Sequence, residues 1–188
     1  MPTHSNIIVF AASNSTQSVN QRLVKHAAKI LQGELAASVE IDVLDLNDYE
    51  MPIYSPEREA RGIPQLAKDF CDKLGAADGM MISFAEHNGT YTTAFKNIFD
   101  WSSRIKKQIF QDRPVMLMAT SIGPLGGQRV LAAAMGSFPN FGANITSNFN
   151  FGPFSEHFDI GTDCFKTAGL ATELREAIVA FHDALPEI

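Results

Sequence analysis

Cysteine is scarce in this chain, and long hydrophobic runs are missing. The 188 residues include two cysteines, Cys71 and Cys164, which lie far apart and lack the spacing of a metal site. We expect both to be reduced and to lie in or near the core of a cytoplasmic protein. No apolar run approaches the roughly 20 residues that a membrane helix requires. Residues 1–6 show no basic region followed by an apolar one, so no secretory signal is predicted.

Charge is also limited. Charged residues make up 19% of the chain and the formal net charge is −6, with the acidic residues scattered. No basic stripe is apparent, which argues against a nucleic-acid partner. The histidine spacings fit no metal site. Apolar residues make up 45% of the chain, and no repeat or linker interrupts it, so residues 1–188 are predicted to form a single domain with an ample core.

Strand-like and helix-like segments alternate along the whole chain. Short apolar runs predict strands at 7–10, 39–44, 79–84, 114–119 and 144–149. Helical periodicity predicts helices at 20–32, 64–74, 93–105, 127–138 and 167–185. Segments 47–62 and 151–165 are expected to be irregular. Five such β-α units with right-handed crossovers predict an α/β fold, a doubly wound five-stranded parallel sheet with helices on both faces.

The polarity of two of these strands bears on the order of the sheet. Segment 39–44 alternates between apolar and polar residues, as a half-exposed edge strand does, whereas segment 79–84 is apolar enough to be central. Both properties fit the flavodoxin-like order 2-1-3-4-5. In that order the switch point lies between the first and third strands, where such sheets bind ligands. The loops after these two strands, residues 13–18 and 86–91, are also the richest in polar side chains.

The first loop has the composition of a phosphate site. Hydroxyl groups recur along it, at Ser13, Ser15, Thr16 and Ser18. The loop opens into the helix predicted from Asn20, where free N–H groups and the helix dipole favour an anion. No glycine-lysine pair and no glycine triplet follows, so a monophosphate ester fits better than a nucleoside triphosphate or a dinucleotide. The alternative is that Ser18 or Asn20 only caps the helix. Capping explains one residue but not the run before it.

The second and third loops suit a flat heterocycle. Residues 86–91 offer a carboxylate, an imidazole, an amide, a glycine and a phenol, from Glu86, His87, Asn88, Gly89 and Tyr91. An amide such as that of Asn88 both donates to and accepts from the edge of a planar ring. The loop at 120–129 contains three glycines and a proline, so it either admits a ring or forms a flexible turn.

The second loop and the helix after it resemble the NAD(P)H-dependent FMN reductases, flavodoxin-like enzymes that include quinone, chromate and azo-dye reductases. The family pattern there is roughly Pro-Glu-Tyr-Asn-Gly-Ser-Tyr-Pro-Gly-Ala-Leu-Lys-Asn-Ala-Ile-Asp-Trp. This chain keeps Glu86, Asn88, Gly89, Tyr91, Ala94, Lys96, Asn97, Asp100 and Trp101. The first loop resembles Gly-Ser-x-Arg-x-x-Ser-x-Asn, with matches at Ser13, Ser18 and Asn20.

The resemblance implies an FMN site built from all three loops. It assigns the FMN phosphate to the first loop, whose candidate residues are Ser13, Ser15, Ser18, Val19 and Asn20. It assigns the isoalloxazine edge to Glu86, His87, Asn88 and Gly89, with Tyr91 near the cofactor or across a subunit contact. The far side of the ring would be flanked by Ser121, Gly123 and Gly126. For Glu86, Lys96, Asp100 and Trp101 structural roles are the stronger expectation.

The implied activity is hydride transfer from NADPH or NADH through FMN to a quinone or a similar small electron acceptor, in a ping-pong cycle and within a homodimer or homotetramer. The flavin carries the chemistry, so no catalytic side chain and no metal are expected. The chain departs from the family at several positions. Ala12 replaces a glycine, Ser15 an arginine, His87 an aromatic residue, and Thr92 a proline. The first loop therefore lacks the guanidinium that usually pairs with phosphate.

Three other functions are compatible with the same fold. A flavodoxin-type electron carrier has no small-molecule substrate of its own, but typically shows a Thr-Gly phosphate loop and heavier acidity. A phospho-acceptor signalling domain needs acidic residues after the first strand, where this chain has Ala11, Ala12 and Ser13. A serine hydrolase that uses Ser13 needs a partnered histidine and a nucleophile elbow, neither of which is visible.

Overall fold

The computed structural model describes residues 4–36 and 38–186. Outside this description lie residues 1–3, 37 and 187–188, together with the parts of the single-domain and signal predictions that fall on them. The main strands are β1 (Asn6–Ala12), β2 (Glu40–Leu44), β3 (Gly79–Phe84), β4 (Pro114–Thr120) and β5 (Asn144–Phe151). A small hairpin adds β6 (Phe158–Asp159) and β7 (Cys164–Phe165). The helices are α1 (Val19–Ile30), α2 (Pro56–Glu59), α3 (Gln65–Ala76), α4 (Thr93–Ile105), α5 (Gln128–Ser137), α6 (Phe154–His157) and α7 (Ala168–His182).

The five main strands form one parallel sheet in the order β2-β1-β3-β4-β5, which confirms the predicted flavodoxin-like topology. β3 and β4 are buried along their whole length, as central strands between two layers of helices must be. β2 lies at one edge and is only partly buried, as its alternating sequence predicted. The carboxyl ends of β1, β3 and β4 are therefore neighbours at one edge of the sheet.

Two apolar cores lie on opposite faces of the sheet. Successive residues of a strand point to opposite faces. Ile8 and Phe10 accordingly pack with residues of α3, α4 and α5, whereas Ile7 and Val9 pack with residues of α1 and α7. This arrangement confirms the prediction of helices on both faces. No helix within the described ranges is both long enough and apolar enough to cross a membrane.

The two segments that were expected to be irregular contain short elements. Segment 47–62 includes α2 and most of a 3₁₀ turn at Leu46–Tyr49, and segment 151–165 includes α6 and the hairpin β6–β7. The expectation of a core position for Cys164 is wrong, because this residue is exposed on the hairpin. The hairpin packs instead through Phe158 and Phe165, whose rings stand edge-on to His26 of α1. Burial there lowers the pKa of His26.

Gly126 lies where the loop after β4 touches the end of β5, and a side chain does not fit there. Its φ is +57°, and an added Cβ would lie 2.3 Å from the carbonyl oxygen of Phe151. We expect Gly126→Ala to lower the free energy of unfolding by more than about 2 kcal/mol in urea titrations. Gly136→Ala is the matched control, because nothing lies within 4 Å of its added Cβ in α5. It should raise stability by roughly 0.5–1 kcal/mol. Equal effects of the two substitutions would contradict the close contact.

Candidate functional site

Three loops meet at the carboxyl edge of the sheet, after β1, β3 and β4. The first two are joined by Thr92, which donates a hydrogen bond from Oγ1 to the carbonyl of Ala12 over 2.9 Å. Thr92 also caps α4, because the same oxygen accepts the N–H of Phe95 at 3.2 Å. Its side chain is 1% exposed. The family pattern has a proline at this position, whose fixed φ favours a helix start. In this chain Thr92 starts the helix by capping it instead.

The first loop is organised by its own hydroxyl groups. Ser13 Oγ accepts the N–H of Ser15 at 3.2 Å, and Ser15 Oγ accepts the N–H of Gln17 at 3.3 Å. Ser18 is the N-cap of α1 and accepts the N–H of Gln21 at 3.3 Å. Ser18 thus caps the helix, as the sequence allowed, and its part in phosphate binding stays a prediction. Each hydroxyl uses an acceptor position in these bonds and keeps its proton for donation to another group.

Asn20 lies beneath this loop. It is 2% exposed, and its Oδ1 accepts both the N–H of Thr120 at 2.9 Å and the hydroxyl of Ser83 at 2.8 Å. Its Nδ2 donates to the carbonyl of Thr120 at 3.0 Å. The amide therefore joins the start of α1 to the ends of β3 and β4. These contacts favour a positioning role for Asn20 over the direct phosphate contact that the sequence suggested.

The second loop is a tight turn with an exposed tip. His87 and Thr90 exchange two backbone hydrogen bonds of 3.0 and 3.2 Å, and φ is +52° at Asn88 and +82° at Gly89. Positive φ at both central residues is the signature of a type I′ turn, for which Asn-Gly is the favoured sequence. The side chains of His87 and Asn88 are exposed and face no core. The turn presents an imidazole and an amide to whatever occupies the edge of the sheet.

Glu86 and Tyr91, which flank this turn, contact the protein instead. Glu86 Oε2 accepts the N–H groups of Arg129 and Val130, both at 3.0 Å. A carboxylate at the start of α5 is favourable because of the helix dipole. Tyr91 packs against Phe84, Phe95 and Phe138 and forms a hydrogen bond with Ser137 at 3.1 Å. Burial raises the pKa of Tyr91. The hydroxyl of Tyr91 is therefore directed to the carboxyl end of α5, and a place near the cofactor or across a subunit contact stays a prediction.

The third loop contributes small residues and exposed apolar ones. Ser121 Oγ lies 3.2 Å from both the N–H and the carbonyl of Gly123, which forms a local turn. An added Cβ at Gly123 has only that hydroxyl within 4 Å, so the backbone here is approachable. Gly126 is buried against the end of β5, and its expected place beside the ring stays a prediction. Ile122 and Leu125 are 84% and 50% exposed at the rim of the loop.

A cleft of about 290 Å³ lies between the first loop, the second loop and segment 46–53. Asn14 and His87 line it together with residues of segment 46–53 and the start of α4. Segment 46–53 is held in place by α4, because Trp101 Nε1 donates to the carbonyl of Pro52 at 2.7 Å and Asn97 Nδ2 donates to that of Met51 at 3.1 Å. This wall of the cleft was not predicted from the sequence. The sequence features that could have indicated it are Pro52 and Tyr54, together with Asn97 and Trp101, which match the family pattern.

The chain is similar to flavin-dependent reductases in sequence. A family model described as NADPH-dependent FMN reductase matches residues 5–154. A quinone reductase of Escherichia coli (strain K12) is 29% identical over 103 residues, which cover 54% of this chain and 54% of that protein. An NAD(P)H-dependent FMN reductase of Pseudomonas aeruginosa is 28% identical over 97 residues, which cover 52% and 51%. The chain thus spans about half the length of these relatives.

The fold has close counterparts among solved structures. The flavoenzyme NAD(P)H:(acceptor) oxidoreductase of Paracoccus denitrificans superposes with a TM-score of 0.75, and the alignment covers 96% of both chains. The two sequences are 21% identical, so the likeness establishes the fold alone.

We expect Asn20→Ala to lower the free energy of unfolding by about 2–4 kcal/mol, measured by chemical denaturation. The substitution leaves buried polar groups of Ser83 and Thr120 without partners. Asn14→Ala, at an exposed position of the same loop, is the control and should change stability by less than about 0.5 kcal/mol. Small and equal effects would show that the Asn20 amide is not needed for the fold, which would restore it as a candidate ligand.

Proposed function

The chain belongs to the NADPH-dependent FMN reductase family, and from this premise we propose that it is an FMN-containing oxidoreductase that transfers hydride from NADPH or NADH to a quinone or a similar small acceptor. One observation carries the proposal. The hydroxyl-rich first loop, the exposed Asn88–Gly89 turn and the small-residue loop at Ser121 and Gly123 converge on one edge of the sheet.

The first loop fits the phosphate of FMN. Three serine hydroxyls lie along it, and it ends at the start of α1, where an anion is favoured. Ser13, Ser15 and Ser18 would donate hydroxyl protons to the phosphate oxygens, with the N–H of Val19 in the same turn. Asn20 would hold this arrangement on the strands below through its bonds to Ser83 and Thr120. No cationic side chain belongs to residues 11–20.

The second and third loops fit a flat ring. The turn at 87–90 offers the amide of Asn88 and the backbone of Gly89 for contacts at the ring edge. Glu86 would fix the distance between the two loops, because it holds the start of α5. The approachable backbone at Gly123 would face the other side of the ring. When bound there, FMN would supply the hydride-transfer chemistry, which protein side chains perform poorly.

The cleft beside His87 supports an enzyme with a small-molecule substrate. It is about 290 Å³ in volume, and both polar and apolar side chains line it. A concave site with a few polar groups is what a small ligand requires, and a pure electron carrier has no need of it. A quinone is the acceptor class that the name of the Escherichia coli relative suggests. The nicotinamide and the acceptor would occupy the same space in turn, which is a ping-pong order.

We also propose that the protein works as a homodimer or homotetramer in the cytoplasm. Apolar side chains remain exposed beside the site, with Ile53 at 65% and Ile122 at 84%, and a second copy of the chain would cover such residues. Both cysteines are free, which suits a reducing compartment.

Initial rates of the FMN-loaded protein, measured against NADPH or NADH at several fixed quinone concentrations, should give parallel double-reciprocal lines. One shared space cannot hold both substrates together, so each must leave before the other enters. Without oxygen or quinone, the reduced nicotinamide should bleach the flavin absorbance stoichiometrically. The flavin-free protein is the control and should show no turnover. Intersecting lines would indicate a ternary complex and would contradict the shared space.

A further inference from the structure

Helix α1 carries a basic face in a chain of net negative charge. Arg22, Lys25 and Lys29 follow one another at spacings of three and four residues, so they lie on one side of the helix, and all three are exposed. The helix contains no Asp or Glu. The three cations are separated in the sequence by apolar residues and His26, so only the helical register reveals them as one group.

These cations line a cavity of about 430 Å³. Its walls are the outer side of the first loop, the first three turns of α1 and the hairpin β6–β7, and its lining residues include Thr16, Gln17, Ser18 and Gln21. No residue of the loops after β3 or β4 takes part. The cavity thus adjoins the first loop but does not include the space beside the Asn88–Gly89 turn.

One carboxylate reaches this cavity, and it is already engaged. Asp163 Oδ2 lies 2.5 Å from Lys29 Nζ and 3.9 Å from His26 Nδ1. Among the described residues, neither Arg22 nor Lys25 has an ion-pair partner within 4 Å. Arg22 and Lys25 are therefore available to a ligand, whereas Lys29 forms an ion pair with Asp163 of the hairpin.

The chemistry of the cavity suits a phosphate monoester. Such a group carries about two negative charges at neutral pH, which matches two free cations. The guanidinium of Arg22 can bind two phosphate oxygens at once, and Lys25 adds a point charge. Helical side chains lean toward the amino end of their helix, which brings Arg22 over the turn that contains Ser18. The hydroxyl of Thr16 and the amides of Gln17 and Gln21 add further hydrogen-bond donors.

We propose that this cavity binds the 2′-phosphate of NADPH and so sets a preference for NADPH over NADH. The inference rests on the proposed function, because it requires the nicotinamide end of the same dinucleotide to reach the loops after β3 and β4. The adenosine end would then lie beyond the first loop, against α1. Ser18 borders both spaces, so the phosphate of FMN and that of the dinucleotide would lie on opposite sides of the first loop.

The test compares adenosine 2′,5′-bisphosphate with AMP as probes, by isothermal titration calorimetry on the FMN-loaded protein. The wild-type protein should bind the bisphosphate roughly tenfold more tightly, the ratio that one charge-assisted hydrogen bond supports. Arg22→Ala with Lys25→Ala should abolish this ratio and raise the KM for NADPH about tenfold. The KM for NADH and the affinity for FMN should not change. Lys68→Ala with Lys107→Ala removes the same charge from exposed positions elsewhere and should leave the ratio intact.

The outcomes separate this subsite from the proposed function. Equal affinities of the wild-type protein for the bisphosphate and AMP would overturn the subsite. A double variant that loses FMN affinity while it keeps the probe ratio would also overturn it, because the cations would then serve the flavin phosphate. Selective binding of the bisphosphate by a protein that binds no FMN would support the subsite and would contradict the proposed function alone.

Discussion

The buried amide of Asn20 ties the start of α1 to the ends of β3 and β4, and the geometry of the candidate site depends on this contact. Parallel strands leave their carboxyl ends as separate loops, which nothing in the sheet itself holds at fixed distances. Asn20 fixes one helix start against two strands with three hydrogen bonds. In a buried setting such bonds are specific, because any displacement leaves polar groups without partners.

Two further polar side chains extend the same principle to the other loops. Thr92 joins the end of β1 to the start of α4, and Glu86 joins the loop after β3 to the start of α5. Each of the three uses a helix start as an anchor. The exposed turn at Asn88–Gly89 is therefore carried on a rigid base although its own side chains are free. Such a base is what a binding site needs, since preorganised contacts reduce the cost of ordering when the ligand arrives.

The sequence predicted the fold well and the site only in part. Strand runs such as 79–84 and the alternation of β2 follow from local chemistry, so the topology could be predicted from them. The partners of Asn20 lie 63 and 100 residues away, and no local pattern reveals them. The direction of Tyr91 and the docking of segment 46–53 on Asn97 and Trp101 likewise depend on tertiary packing. The type I′ turn at Asn88–Gly89 could have been predicted from the sequence, because that dipeptide has a strong preference for this turn.

The central claim is that this edge of the sheet binds FMN through its phosphate. Titration of the flavin-free protein with FMN and with riboflavin, followed by flavin fluorescence, tests it most directly. We expect one FMN per chain and an affinity at least roughly tenfold higher than that for riboflavin, since riboflavin lacks the group that the first loop would hold. Equal affinities for the two flavins, or no binding of either, would contradict it.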